Sequence, residues 1–155
     1  MKLHIEVQSA TQFSPLPILS QLQKWVNTTL QVIQLILDKN LFALTVRFID
    51  REECAALNET YRHKKGPTNI LSFSHESIPG LPSDSLGDLA ICAPVVSKEA
   101  EMQNKSLEAH FAHLVIHGVL HLLGYNHIEI QEAAEMEKLE IQALSQLGYE
   151  NPYEA

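Results

Sequence analysis

The sequence predicts one α+β domain over residues 1–155, with about four strands in a mixed sheet and helices packed on it. Three observations predict this class. Short stretches that alternate apolar and polar residues are interspersed with longer ones whose apolar residues recur every three or four positions. The length of 155 residues suits a single domain with a sizeable core. The sequence contains no repeat, linker or low-complexity tract that would divide it.

The first half of the chain begins with a strand and a long helix. Alternation of apolar and polar residues predicts strands over 2–8 and 41–49. Between them, the apolar residues of 18–38 recur at helical spacing, which predicts a long amphipathic helix. Asp50 is suited to cap a short helix that runs to about Tyr61, because the first turn of that helix is acidic.

The next elements lie on either side of a loop rich in Ser, Pro and Gly. Strands are predicted over 69–74 and 86–92. The loop between them, 74–85, is interpreted either as a mobile flap or as a connection that tolerates insertions. Pro94 then opens a helix that runs to about Gln103.

Two helices complete the prediction. Ser106 caps a helix that runs to Leu123, and a last helix over about 130–147 ends at Gly148. Both helices belong to the layer that covers the sheet.

The segment 117–127 carries three histidines at spacings of four and six. His117 and His121 lie one turn apart, so both rings project from the same helix face. Gly124 can end the helix in the left-handed conformation and bring His127 back toward that face. Three imidazoles with a fourth position open form the donor set of a catalytic zinc site, although they also suit nickel, copper or iron.

The alternative for such histidines is a structural role in the core. That reading suits a lone histidine or an i, i+4 pair, but packing does not require a third histidine after a glycine turn. The sequence therefore favours a metal site. Two further histidines, His110 and His113, are predicted to lie behind the ligands or at the surface.

The net charge of −8 is concentrated near the end of the chain. Residues 128–155 carry seven glutamates against Lys138, a balance of −6, which we interpret as a solvated helix face. The remaining −2 belongs to residues 1–127, which also contain a basic cluster. The basic cluster consists of Arg62, His63, Lys64 and Lys65. Net charge therefore does not exclude a nucleic-acid partner.

Targeting signals do not stand out in the sequence. No window reaches the roughly 18 apolar residues of a membrane span. The first residues alternate like a strand and lack the apolar region of a signal peptide. Cys54 and Cys92 are too few for a disulfide framework. The expectation is a cytoplasmic protein with reduced thiols and no membrane partner.

Three separated motifs and the tail of the chain share one pattern. The motifs are YRHKKGPTNILSF at 61–73, LGDL at 86–89 and HGVLHLLGYNH at 117–127. The tail carries EME at 135–137 and LGYENPY at 147–153. In order and spacing these residues resemble the YbeY family of bacterial rRNA-maturation endoribonucleases, over about 44–153.

The resemblance implies roles for individual residues. The zinc ligands would be His117, His121 and His127. Arg62 matches a basic residue near the metal that helps to bind or cleave RNA phosphate, and Ser72 with Phe73 matches the strand beside the cleft. The implied cofactor is one zinc ion.

The resemblance also implies a substrate. It predicts single-strand-specific cleavage in the maturation of the 16S rRNA 3′ end and quality control of defective ribosomes. The expected partners are ribosomal RNA and the small ribosomal subunit, with a ribosome-associated protein as a further candidate.

Two residues depart from the family pattern. Asn126 replaces an aspartate, which removes a negative charge beside the metal ligands. Lys65 replaces an acid two residues before the Pro-Thr-Asn motif, which makes the basic cluster more basic.

The chemistry also follows from the residues themselves. Arg62 and His117 are the predicted catalytic residues: the planar guanidinium matches two phosphate oxygens, and the imidazole holds the metal. Arg62, Lys64 and Lys65 are the predicted RNA-binding residues, with the two lysines as peripheral phosphate contacts. For each of the three cations, an ordinary surface role is the alternative.

Two competing functions remain open in the sequence. A metallopeptidase would share the histidine spacing, but it needs a glutamate base where this chain has Gly118. A non-catalytic, zinc-stabilised ribosome-associated factor would need a fourth protein ligand, for which His113 and Asp88 are the candidates.

Overall fold

Four strands form one sheet and five helices surround it in the part of the chain that the structure describes. The computed structural model describes residues 2–33, 41–74, 85–125 and 129–153. The strands are β1 (Lys2–Ala10), β2 (Leu41–Ile49), β3 (Ile70–Ser74) and β4 (Ser85–Cys92). The helices are α1 (Leu19–Val32), α2 (Arg51–Arg62), α3 (Ala93–Met102), α4 (Leu107–Leu122) and α5 (Ile130–Gln146).

The sheet is mixed, as the sequence predicts. Its order is β1-β2-β4-β3, with β1, β2 and β4 parallel and β3 antiparallel to β4. The helices α1 and α2 occupy the crossover after β1 and the connection after β2. The α+β class is therefore confirmed, and β3 lies at one edge of the sheet.

The core has one large part and one small part, on opposite faces of the sheet. The large cluster joins β2 and β4 to α1, α4 and α5, and within it the rings of Phe48 and Phe111 meet edge to face at 5.9 Å. The small cluster joins the other face to α2, through residues such as Cys54 and Leu71. Because α2 and α4 lie on opposite faces, the side chains they carry reach the β3 edge from opposite sides.

The predicted elements differ from the structure mainly at their ends. The first strand continues to Ala10 instead of ending at residue 8. The helix predicted over 18–38 ends at Val32, and positions 34–38 lie outside the described residues. Most of the predicted loop, 75–84, also lies outside them. None of the described helices is both long and apolar enough to cross a membrane.

Two glycines bring α4 close to the edge of the sheet. A Cβ atom on Gly118 would lie 2.7 Å from Leu89 Cδ2 and 2.9 Å from Ile70 Cδ1. Gly87 of β4 has φ +146°, and a Cβ there would clash with the backbone oxygen of Phe73 and lie 2.9 Å from Leu122 Cδ2 of α4. The helix that carries His117 and His121 is thus fixed at short range against β3 and β4.

We expect Gly87→Ala to lower the free energy of unfolding by about 3 kcal/mol or more, because it adds a clash with backbone to a strained φ. The matched control is Gly148→Ala. Gly148 also has positive φ (+89°) but has no neighbouring atom within 4 Å of the added Cβ, so only about 1 kcal/mol of strain is expected. Urea denaturation of both variants measures the difference, and equal losses would contradict the close-approach argument.

Candidate metal centre

Two imidazole nitrogens converge on the side of α4 that faces α5. Ser106 caps the helix by accepting a hydrogen bond from Ala109 N at 3.1 Å. One turn apart on that helix, the Nε2 atoms of His117 and His121 lie 3.0 Å from each other. Two nitrogens that share one zinc ion at about 2.0–2.1 Å each lie within about 4.2 Å of one another. The observed separation fits two ligands of one ion.

A fully buried carboxylate stands behind the first of these rings. Oε1 of Glu140, on α5, lies 2.6 Å from His117 Nδ1. When Nδ1–H donates to this carboxylate, Nε2 of the neutral ring carries the lone pair that a metal needs. This histidine–carboxylate arrangement is typical of metal ligands in proteins.

The same carboxylate is held by two other side chains. The Tyr153 hydroxyl donates to Glu140 Oε2 at 2.6 Å. His113 Nε2 lies 3.3 Å from Glu140 Oε1 and 3.2 Å from the Tyr153 hydroxyl oxygen. The rings of His113 and Tyr153 meet edge to face at 5.5 Å. Tyr153 is therefore tied into the buried surroundings of His117.

These contacts decide the charge of Glu140. Burial by itself raises the pKa of Glu140, but hydrogen bonds from His113 and His117, the nearby His117 imidazole and the Tyr153 hydroxyl outweigh burial and lower it to about 2. The group is therefore a carboxylate at neutral pH. For Tyr153, burial and then the adjacent Glu140 raise the pKa of the hydroxyl, which remains a hydrogen-bond donor.

A second, partly buried network lies about two turns before His117 on α4. His110 Nε2 is 2.9 Å from Glu99 Oε1, and Asn69 Nδ2 donates to the same oxygen at 3.1 Å. Burial lowers the pKa of the His110 imidazole, and the opposing effect of Glu99 is smaller. Asn69 also accepts a hydrogen bond from the Ile70 amide at 2.7 Å. The network fixes the start of β3 to α3 and α4.

The structure brings together two of the three predicted metal ligands. His117 and His121 converge, whereas His127 and its neighbour Asn126 lie outside the described residues. Within the described ranges, no group of three His, Cys, Asp or Glu side chains is arranged to hold a metal ion. The donor chemistry of the described pair, two imidazoles with one backed by a carboxylate, suits zinc.

Arg62 lines a separate cleft, on the α2 side of β3. The cleft has a volume of about 600 Å³. Its lining consists of Leu57, Tyr61, Arg62, Ser72, Phe73, Ser74 and Asp88. Lys64 and Lys65 are exposed in the segment that follows α2 but do not line this cleft. The predicted phosphate-binding residue and the histidine pair thus approach the β3 edge from opposite faces of the sheet.

Sequence reasoning missed Glu140 and Tyr153. The sequence predicts a solvated helix face for the acidic tail, which includes Glu140. This prediction is wrong for Glu140, because the residue is fully buried. The signal was present in the spacing: Glu140 shares its helix face with the buried residues Met136, Ala143 and Leu144. An acid on an apolar stripe needs a buried partner.

Comparisons with known proteins agree with this architecture. The family model for endoribonuclease YbeY matches residues 6–148. Curated proteins described as endoribonuclease YbeY, from the Dugway and Nine Mile phase I strains of Coxiella burnetii, are 64% identical over 152 residues, which cover 98% of this chain and 99% of theirs. These matches place the chain among the hydrolytic nucleases. It belongs to the YbeY family of endoribonucleases.

A solved structure shares the fold at low sequence identity. The solution structure of TM1509 from Thermotoga maritima aligns with a TM-score of 0.57 and 21% identity. The alignment covers 93% of this chain and 91% of that one. The likeness supports the α+β architecture.

We expect Glu140→Gln to lower the free energy of unfolding at pH 7 by about 3 kcal/mol. The pKa of Glu140 falls from 4.5 to about 2 on folding, and each unit of that fall corresponds to about 1.4 kcal/mol of stability. The folded-state pKa is depressed, so this stabilisation is complete above about pH 4.5 and is lost as the pH falls toward 2. Urea denaturation at several pH values measures the gap between parent and variant. The control is Glu135→Gln, an exposed position on the same helix, which is expected to leave the free energy of unfolding nearly unchanged. If the difference in free energy of unfolding between the parent and Glu140→Gln does not narrow in acid, Glu140 is not the buried carboxylate described above.

Proposed function

We propose that this chain is a single-strand-specific, metal-dependent endoribonuclease of the cytoplasm that acts in 16S rRNA 3′-end maturation and ribosome quality control. Membership of the YbeY family supports the endoribonuclease activity. The observation that carries the metal-dependent part is the convergence of two imidazole nitrogens at 3.0 Å, one of them backed by a buried carboxylate.

The proposed metal ligands are His117, His121 and His127, and the proposed cofactor is one zinc ion. A zinc ion held by these three imidazoles would supply a Lewis acid for a phosphate oxygen. The role of His117 as a catalytic residue is to present Nε2 to that ion in a fixed direction. Glu140 positions His117 by accepting its Nδ1–H.

Arg62 is the second proposed catalytic residue. Its guanidinium carries two N–H groups that can donate together to two oxygens of the scissile phosphate and stabilise the charge that develops there. Lys64 and Lys65 bind neighbouring phosphates and add affinity that depends on salt. RNA also supplies a 2′-hydroxyl, so both this hydroxyl and water are candidate nucleophiles in the proposed reaction.

The proposed substrate is ribosomal RNA of the small subunit, with a ribosome-associated protein as a further partner. The basic cluster supports an RNA ligand because it is separate in sequence from the acidic tail. The Lys65 departure adds a cation to this cluster. The Asn126 departure removes a charge beside His127, and it is expected to weaken metal binding relative to an aspartate at that position.

The packing of Gly118 argues against peptidase activity. A metallopeptidase with this histidine spacing places its glutamate base at that position. Here even a Cβ would lie 2.7 Å from Leu89 Cδ2 and 2.9 Å from Ile70 Cδ1. The position faces the sheet, so a side chain there would have to displace Leu89 and Ile70, and Gly118 itself has no carboxylate to act as that base.

We expect zinc-loaded protein to cleave end-labelled fragments that contain the 3′ region of small-subunit rRNA. His121→Ala is expected to abolish cleavage, and Arg62→Ala is expected to reduce the rate about a hundredfold or more, because it removes charge stabilisation at the phosphate. Removal of the metal by a chelator is expected to stop the reaction, and added zinc to restore it. Gel analysis of the products measures each rate. Equal cleavage by the parent and both variants would indicate a contaminating nuclease and contradict the proposal.

We expect the parent chain to bind one zinc ion, and His127→Ala to bind zinc at least a hundredfold more weakly, because one of three ligands is lost. Competition with a chromophoric chelator measures the affinity without any assay of activity. The control is His4→Ala, an exposed histidine on β1. Unchanged affinity in His127→Ala would remove this residue from the proposed ligand set.

A further inference from the structure

We propose that Tyr61 is a stacking platform for an unpaired RNA base, and that it gives the cleft its preference for single strands. This inference deepens the proposed function and rests on RNA being the substrate. It concerns the cleft lined by Arg62, whose described lining does not include His117 or His121.

Tyr61 occupies the last turn of α2, where the helix reaches the mouth of the cleft. Its ring lies 5.2 Å from the ring of Phe73 on β3, with an angle of 70° between the planes. This edge-to-face contact orients the tyrosine ring against the sheet. The contact still leaves Tyr61 62% exposed. The fold thus fixes an aromatic ring in place and leaves most of it in solvent.

The charges beside this ring suit a nucleic-acid strand. Arg62 follows directly and lines the same cleft. The helix ends at His63, whose left-handed conformation (φ 58°) turns the chain, and Lys64 and Lys65 continue on the exposed surface. Three cations therefore follow one exposed aromatic ring within four residues of sequence. Interleaved aromatic and basic side chains are the usual way in which proteins hold single strands.

The RNA bound in this cleft is single-stranded, because a base can stack on Tyr61 only when one of its faces is free. A base must leave its stack before its face can lie on tyrosine, which an unpaired nucleotide does at low cost and a duplex does not. The phosphates on either side of that base then lie near Arg62 and the lysines. A base on the tyrosine ring with its flanking phosphates near Arg62 and the lysines is the arrangement that these side chains favour.

The test is the binding of a fluorescein-labelled, single-stranded oligoribonucleotide to the full chain, followed by fluorescence anisotropy. All proteins carry His121→Ala, which prevents cleavage during the measurement. Tyr61→Ala and Tyr61→Leu are expected to bind about tenfold more weakly, since both remove the π face. Tyr61→Leu keeps an apolar contact with Phe73, so weaker RNA binding by this variant reports the loss of the aromatic ring and not the loss of packing against Phe73. Tyr61→Phe is expected to bind within about twofold of the parent.

Two controls separate stacking from charge. Ile18→Ala removes another exposed apolar side chain, 63% exposed on the N-terminal side of α1, and is expected to have no effect. Arg62→Ala is expected to reduce the slope of log affinity against log salt by about 0.7, as for one lost phosphate contact, whereas Tyr61→Leu leaves the slope unchanged. With the same RNA annealed to its complement, the difference between Tyr61→Leu and its parent is expected to disappear.

The outcomes distinguish this inference from the proposed function. Parent-like affinity in Tyr61→Leu, an equal loss in Tyr61→Phe, or an equal loss on duplex RNA would each overturn the stacking role. If the variants behave as expected but the zinc-loaded parent does not cleave RNA, the stacking role holds and the proposed enzymatic function fails. If the protein binds no single-stranded RNA, both fail.

Discussion

The close approach of α4 to β3 and β4 is the constraint on which the rest of the structure depends. Gly118 allows the helix to contact side chains from both strands, and Gly87 leaves room where the strand backbones and the helix end meet. Interiors are packed at crystal-like density, so a side chain at either position has to displace its neighbours. With the helix held at this distance, one of its remaining sides presents His117 to Glu140 of α5, with His121 beside it.

A buried charge is the consequence of that placement. Glu140 has no contact with solvent, and burial of an isolated carboxylate is costly. Three donors, from His113, His117 and Tyr153, surround its two oxygens, and they keep it ionised. Such a cluster adds little net stability compared with an apolar core, but removal of one partner is expensive. The cluster therefore fixes one orientation of His117, which is what a metal ligand requires.

The two groups of candidate functional residues lie on opposite faces of one sheet. The histidine pair belongs to the face covered by α4, and the cleft with Tyr61 and Arg62 belongs to the face covered by α2. The edge strand β3 lies next to both groups, because Phe73 contacts Tyr61 and Ile70 lies against Gly118 of α4.

The sequence by itself determined the elements, the family motifs and the histidine pair, because helical and strand periodicity and the i, i+4 relation are properties of neighbours along the chain. His127 stays a prediction. Only the tertiary structure decided the strand order, the face on which Arg62 lies and the partner of His117. Glu140 follows His117 by 23 positions, and it lies in a helix whose acidic composition predicts a solvated face. Its burial depends on how α5 packs against α4, and local patterns do not specify which helices meet or at what height.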